Sequence, residues 1–542
     1  MNVQQNKAGE PKLSRLCGRF SVVVLVALSS LHATSFEDFK KSQQESFKQY
    51  KDERDNQFNK YLKEQWKAYN AYKGTPLYEE PKPVKIAPAP KEPVQKVGPT
   101  VYIKVKEEPK VEKPKVIEKP LIVEKPQILE KPKVIEEPKT VEKPKIVEEP
   151  KVVEVPKALV KPKEQEPKIV VIEKPKAVTV QKDIAFDFFG TQVGFDMPRG
   201  LQSASFSPRN KTGIANFFDV AASSDYASLV EDIKGLKSSL ALNDWGVYLL
   251  VTQLSQKVFT NQNEADLLSW FLFNKLGYAV KVGLAKDRIV LMHYSKKIIY
   301  ATPNYTINQK KFYVVANYNK GSVGQLYSYE QNYPGADKPL DLAMQKLPLF
   351  PELEQSKTLR FEYGAGKYTI PFAYNKNIVD FMATYPQADY DTFFNAPLEQ
   401  RTYESIAKEL KKIVDGKKAS EAMNIVLSFV QKSFDYQRDD EQFGREKVMF
   451  AQETLYFDKS DCEDRSVLFA YLMKELFGVN VVGVKYKDHM ATALYIPLEG
   501  DKVKYGAREY VVADPTYINA NIGQSMPKYK PLKPESFITV QN

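Results

Sequence analysis

The sequence predicts an α+β protein: two tandem units, each with helices packed on an antiparallel sheet, preceded by a long helix and a proline-rich extended spacer. Three observations predict it. Short alternating apolar runs broken by glycine or proline are interleaved with apolar runs at three-to-four-residue spacing, so strand and helix patterns mix along one chain. The order of these patterns occurs twice after residue 183. Sharp changes in composition then divide the chain into 1–33, 34–78, 79–182, 183–345 and 346–542.

The first segment carries Lys7, Lys12, Arg15 and Arg19, an apolar run from Phe20 to Leu28, and small residues up to Ala33. This is the pattern of a signal peptide, and its apolar core is too short for a relaxed membrane span. The alternative is an uncleaved anchor. The expected location is therefore outside the cytoplasm, in the periplasm or at the cell envelope. Cys17 would leave with the signal, so the mature chain keeps Cys462 as its single cysteine and cannot form an internal disulfide.

Residues 36–72 repeat every eleven positions: Phe36 and Phe39, Phe47 and Tyr50, Phe58 and Tyr61, Tyr69 and Tyr72. Eleven residues are almost three helical turns, so one aromatic stripe would run along a helix of about 55 Å. The stripe must be covered. A partner helix in a right-handed supercoil is the natural cover, and an envelope surface or the protein's own domain is the alternative.

The spacer places prolines at 114, 120, 126, 132, 138, 144, 150, 156 and 162. Proline forbids a continuous helix, and a six-residue repeat makes two turns of polyproline II. Pro114 to Pro162 would reach about 150 Å at roughly 3.1 Å per residue. Alternating Lys and Glu leave this stretch locally neutral, so the formal charge of +11 is weak evidence for nucleic acid, and no nucleic-acid motif accompanies it.

In the two units, Ile184 to Pro198 around Gly190 echoes Leu359 to Pro371 around Gly364, and both read as hairpins. Asn216-Phe217-Phe218-Asp219 parallels Thr392-Phe393-Phe394-Asn395. The helix pattern Tyr226, Leu229, Ile233, Leu236 parallels Tyr403, Ile406, Leu410, Ile413.

The second unit carries the chemistry. Asp461 stands at a helix N-cap position, with Val467, Leu468, Tyr471, Leu472 and Leu476 following at helical spacing. Cys462 therefore opens a helix, where the dipole and unused N–H groups should lower its pKa. A strand-like run begins at His489, and a second ends at Asp514. If these strands pair antiparallel, His489 and Asp514 meet at one edge of the sheet, as a base and its orienter would.

A cysteine, then a histidine on a strand, then an aspartate ending the next resembles the transglutaminase-like branch of the papain-like cysteine enzymes. The sequences Asp-Cys-Glu-Asp-Arg-Ser at Cys462, Lys-Asp-His at His489 and Ala-Asp-Pro-Thr-Tyr at Asp514 are similar to bacterial members. The resemblance implies a fold of tandem papain-like units and a thioester acyl-enzyme on Cys462, with no metal and no organic cofactor. The resemblance does not supply the substrate; a protein or peptide amide is the class expected from a thiolate that attacks an amide carbonyl. Animal transglutaminases have an oxyanion tryptophan upstream of the cysteine, and no counterpart stands here. Gln442 is the side-chain oxyanion donor expected, ahead of Gln452 and Tyr436. Water resolving the thioester gives a peptidase, and a lysine amine gives a crosslinker.

In the first unit Lys286-Asp287-Arg288 answers Lys487-Asp488-His489, Ala301-Thr302-Pro303 answers Ala513-Asp514-Pro515, and Asn263 to Asp266 lies opposite Cys462. The framework is kept without nucleophile, base or orienter, so a catalytically dead copy is expected. His293, in an apolar alternating run, reads as structural. The two readings that remain are an exported cysteine hydrolase or acyltransferase, and an envelope scaffold with an idle triad. Whether the chain forms a homo-oligomer is left open.

Overall fold

The computed structural model describes residues 36–72, 74, 89, 98–103, 105, 182–318, 320 and 323–541. The signal-like segment and the strictly periodic part of the spacer lie outside them. Among the described residues no helix is long and apolar enough to cross a membrane.

The chain enters through α1 (Phe36–Glu64) and a short strand β1 (Lys67–Tyr69). The helix is therefore shorter than the aromatic period suggests: Tyr69 lies in β1, and Tyr72 bridges Asn304. Its cover is the protein's own first unit. Phe58, 1% exposed, packs against Phe218 and Tyr333, each at 5.3 Å between ring centroids, and against Tyr329 at 6.0 Å and Trp270 at 6.3 Å. Burying such a ring is worth about 1.5–3 kcal/mol. The buried Asp55 pairs with Lys275 and accepts from Tyr333 at 2.6 Å and Tyr226 at 3.2 Å. The half of the stripe at Phe58 and Tyr61 thus needs no partner helix.

The first unit starts with a hairpin, β2 (Ile184–Phe188) and β3 (Thr191–Phe195). Its two-residue turn, Phe189-Gly190, has both φ values positive, the turn whose twist matches paired strands. Four helices follow: α2 (Lys211–Ser223), α3 (Ala227–Ser239), α4 (Asp244–Val258) and α5 (Gln262–Lys275). Next come β4 (Val280–Ala285), β5 (Arg288–Tyr294), β6 (Asn304–Ile307), β7 (Lys310–Tyr313) and β8 (Leu326–Ser328). With β1 they form a sheet in the order β1-β8-β4-β5-β7-β6, antiparallel throughout.

The second unit repeats this order. It opens on the hairpin β9 (Glu354–Tyr363) and β10 (Gly366–Asn375), followed by α6 (Lys376–Ala383), α7 (Tyr390–Phe394), α8 (Gln400–Val414) and α9 (Ala419–Lys432). Residues 433–461 then carry β11 (Asp435–Tyr436), α10 (Asp439–Phe443), α11 (Ala451–Tyr456) and β12 (Lys459–Ser460) before α12 (Cys462–Phe477). In the first unit only residues 259–261 separate the corresponding helices, α4 and α5. The sheet is β13 (Val481–Lys485), β14 (Met490–Leu494), β15 (Lys502–Tyr505), β16 (Arg508–Ala513) and β17 (Ser536–Thr539), ordered β15-β16-β14-β13-β17 and again antiparallel.

The units share one apolar core running from Phe58 to Val540. They also meet through Ile299 bridging Ala388, the Tyr300 hydroxyl donating to Asp389 at 2.9 Å, and the Trp245 indole donating to Thr384 at 2.8 Å. The described start of the spacer is docked rather than free. Val101 N–H donates to Lys417 O, Gly416 N–H to Val101 O and Ala419 N–H to Pro99 O, each at 2.9 Å, and Ile103 is 2% exposed.

Candidate functional site

The start of α12 is fixed before any chemistry is considered. Asp461 is the N-cap, and its own N–H donates to Asp464 Oδ2 at 3.3 Å, half of a capping box. Arg465, fully buried, donates to Ser460 Oγ at 3.0 Å, Gln431 O at 3.2 Å and Phe434 O at 2.8 Å. One guanidinium so ties the helix to α9 and to both ends of the inserted stretch. One turn on, Ser466 Oγ donates to Met490 O at 3.2 Å, which seats the helix on the first residue of β14.

Cys462, 1% exposed, is the first residue of α12. Its thiol donates to Glu463 Oε2 at 3.1 Å and also lies against the backbone N–H of Met490, the neighbour of His489. His489 is held at the hairpin between β13 and β14, where Tyr486 N–H donates to His489 O at 2.8 Å across the Lys487-Asp488 turn. Its Nε2 is 2.9 Å from Asp514 Oδ2, with both residues buried. Asp514 Oδ1 accepts from Thr516 N–H at 2.9 Å and Tyr517 N–H at 3.2 Å. The carboxylate is therefore locked just past the end of β16, and β16 pairs with β14 as the strand pattern requires.

An aromatic wall that sequence reasoning missed closes this edge. His489 stacks on Tyr529 at 4.5 Å and 19°, with Tyr486 at 6.4 Å. Burial pushes the Tyr529 hydroxyl up, helped by Asp488, to whose Oδ1 it donates at 3.2 Å, and then by the charges of Cys462 and Asp514. The only hint in the sequence was a tyrosine shortly after Asp514.

The electrostatics at the thiol reverse the expectation from its place on the helix. Burial pushes Cys462 well above the ordinary thiol range, and the carboxylates of Glu463 and Asp461 push it further. A helix dipole acts as roughly half a charge and does not offset an acidic shell in a desolvated site. The same burial and crowding push the Asp439 carboxyl up to about 10, Asp464 up to about 7, and Asp461 well above its usual range. Asp439, Asp461 and Glu463 each place one oxygen within 4.8 Å of the others. Asp439 Oδ1 and Asp461 Oδ1 are buried without a hydrogen-bond partner. Three hard oxygen donors so arranged could hold a divalent cation, where the sequence reading expected no metal. Held protons are the other way to relieve the repulsion.

The three oxyanion candidates are placed differently. Gln442 is half-buried on α10, and its Oε1 is buried without a partner, but no described hydrogen bond links it to the thiol. Gln452 is committed elsewhere, accepting from Glu399 N–H at 3.2 Å and donating to Thr402 Oγ1 at 3.0 Å. Tyr436 fits better. Its hydroxyl is pushed up first by burial and then by the charge of Cys462. Although 43% of the residue's surface is exposed, the two facts agree if the hydroxyl end is the part turned inward. The buried Tyr390 also feels Glu463 and Cys462.

In the first unit the corresponding positions carry other groups. Gln262 is the first residue of α5 behind an Asn261 cap, one position before Asn263. Asn263 Oδ1 accepts from Ile289 N–H at 2.9 Å, bridging helix and sheet where the thiol does so in the second unit. Arg288 pairs with Ala285 across the Lys286-Asp287 turn and takes the place of His489. The counterpart of Asp514 is not at Ala301–Pro303. Those residues precede β6, whereas β5 pairs with β7, His293 opposite Tyr313, so the register puts Ala316 there. His293 is 1% exposed, lies between Phe273 at 4.8 Å and Tyr248 at 5.1 Å, and has no partner on either nitrogen. Burial brings its pKa down to about 3, which leaves a neutral core residue.

No family model, no curated protein and no solved structure matches this chain.

Proposed function

We propose that the second unit is a transglutaminase-like cysteine amide hydrolase or acyltransferase acting on protein or peptide amides. The observation that carries the proposal is the buried His489–Asp514 pair, set one residue from the Met490 amide against which the Cys462 thiol packs. Three residues distant in sequence are thus drawn to the opening of β14, which supports reading them as nucleophile, base and orienter.

In this reading Asp514 holds Nε2, so Nδ1 of His489 is the nitrogen that takes the thiol proton. Sulfur attacks the amide carbonyl carbon, a C–S bond forms and the carbonyl oxygen becomes an oxyanion. The Cys462 N–H, one of the first-turn groups a helix cannot use itself, and the Tyr436 hydroxyl donate to that oxygen. The C–N bond breaks, the amine leaves with the proton held by His489, and water or a second amine resolves the thioester. The acidic shell makes thiolate formation unfavourable without the histidine, so the site stays idle until a proton acceptor and a substrate are both in place. Export through the first segment, with the spacer as the link to an envelope surface, belongs to the same reading.

A scaffold with an idle triad is favoured by one observation, the raised pKa of the buried thiol. Intact-mass measurement after exposure to a peptide thioester or an activated peptide amide separates the two. An acyl adduct on Cys462 that is lost in His489→Ala supports the enzyme, and the absence of any adduct in the parent protein supports the scaffold.

A further inference from the structure

Ala89 is remote in sequence from the second unit, yet it is 5% exposed and belongs to the buried apolar cluster that includes Tyr486, Tyr517, Ala520, Met526 and Tyr529. Tyr486 and Tyr529 are the rings that flank His489. Its N–H donates to the carbonyl of Ile518 at 2.9 Å. The receiving loop is rigidly built. Gln431 Nε2 donates to the carbonyls of Asp514, Tyr517 and Ala520 at 3.0, 2.8 and 3.1 Å. Asn519 turns the chain with a φ of 66°, and the intervening carbonyl of Ile518 is the one that meets Ala89.

The occupant's own sequence fits that arrangement. Ala89 stands between Pro88 and Pro90, and proline has no N–H, so Ala89 supplies the one main-chain donor of the triplet. Aromatic walls with a fixed hydrogen-bonding group are a recurring way to receive proline-rich main chain, whose ordering cost is low. Because Ala89 is almost fully covered, the recess has room for a small side chain and none for a long one.

We propose that the recess of Tyr517, Ile518, Ala520, Met526 and Tyr529 is a peptide subsite for a small residue flanked by prolines, filled in this chain by its own Ala89. Only the naming of such peptides as substrates rests on the catalytic reading above. A tethered occupant has an effective concentration on the order of millimolar. A peptide added in solution therefore competes poorly against the resident segment, and binds freely once that segment is expelled.

The test uses the full chain and a fluorescein-labelled peptide copying residues 84–94, followed by fluorescence polarisation. The Ala89→Arg variant should bind the peptide at concentrations at least about tenfold below those the parent chain needs, given that effective concentration. Ala89→Ser should behave like the parent, and the peptide with the same Ala89→Arg change should bind neither chain. Equal binding by parent and Ala89→Arg, or binding by neither, overturns the proposal. Hydrogen exchange of the parent chain gives a second reading that needs no variant. The Ala89 amide should exchange at least about tenfold more slowly than an unstructured one, as a closed hydrogen bond requires, and exchange at the free rate also overturns it. Failure of the catalytic reading shows differently. Loss of His489-dependence in Cys462 acylation removes the enzyme and leaves peptide binding intact, while lost peptide binding with acylation retained removes the subsite alone.

Discussion

At the start of α5 and at the start of α12 the same backbone event takes place: a polar N-cap, a first helical residue, and a bridge to the opening of a central strand. In the first unit these are Asn261, Gln262 and the Asn263 side chain on Ile289, next to Arg288; in the second they are Asp461, Cys462 and its thiol on Met490, next to His489. The framework is the same, and what differs is the side chains and the stretch 433–461 placed directly before the second helix. That stretch brings the Asp439 carboxyl to those of Asp461 and Glu463, holds Tyr436 where it feels the charge of Cys462, and gives Arg465 the carbonyl of Phe434 to hold. On the proposed reading, a reactive centre takes more than three substitutions on a shared frame. It also takes an inserted wall, and the wall makes the thiol harder to ionise.

The comparison can be broken most severely at its chemical end. His489→Ala should lower acylation of Cys462 by about 10²- to 10⁴-fold, the range for a lost general base, while Arg288→Ala in the first unit leaves the rate unchanged. A stopped-flow acylation assay on the two variants is sufficient. Next in size is the clasp between α1 and the first unit. Phe58→Ala should cost about 3–5 kcal/mol in denaturant unfolding, as deletion of a buried ring does. Tyr50→Ala, at 62% exposed, should stay within about 0.5 kcal/mol.

Two smaller effects sharpen it. Tyr436→Phe should slow acylation by about 10²-fold, the lower end for one oxyanion donor, and Gln442→Ala should leave it near the parent rate. The reverse ranking would restore Gln442 to the site. His293 tests the claim that the first unit's histidine is a core residue. Its folded pKa of about 3 lies below the ordinary histidine value, so between those two values the unfolded chain binds a proton that the folded chain does not. Stability should then fall as the pH drops through that window, by up to about 1.4 kcal/mol per unit. His293→Leu should flatten this limb of a pH-dependent melting series.

Much of this organisation was legible in the sequence. Helix capping at Asp461, the apolar spacing behind Cys462, the strand that begins at His489 and the strand that ends at Asp514 are local signals, and with antiparallel pairing assumed they bring an imidazole and a carboxylate to one edge of the sheet. What was not legible depends on burial. Nothing in Asp-Cys-Glu-Asp says that all four side chains are sealed from water, and sealing turns a dipole-favoured thiolate into a protonated thiol. The aromatic period of residues 36–72 says that a stripe exists but not what covers it. Its last pair, Tyr69 and Tyr72, left the helix because the two edges of the first unit's sheet could take them, β8 pairing with β1 and β6 with Tyr72. The counterpart of Asp514 was misplaced for a related reason: Ala301-Thr302-Pro303 matches in letters, but pairing register, set by β5 against β7, decides position.

The account stands on Cys462 and His489 acting as one unit. The direct measurement is the pH dependence of Cys462 alkylation by iodoacetamide in the parent chain and in His489→Ala. The account predicts that the parent reacts at neutral pH at least about tenfold faster than the variant, because the imidazole removes a proton that the acidic shell otherwise holds on sulfur. Superimposable profiles for the two proteins would contradict it.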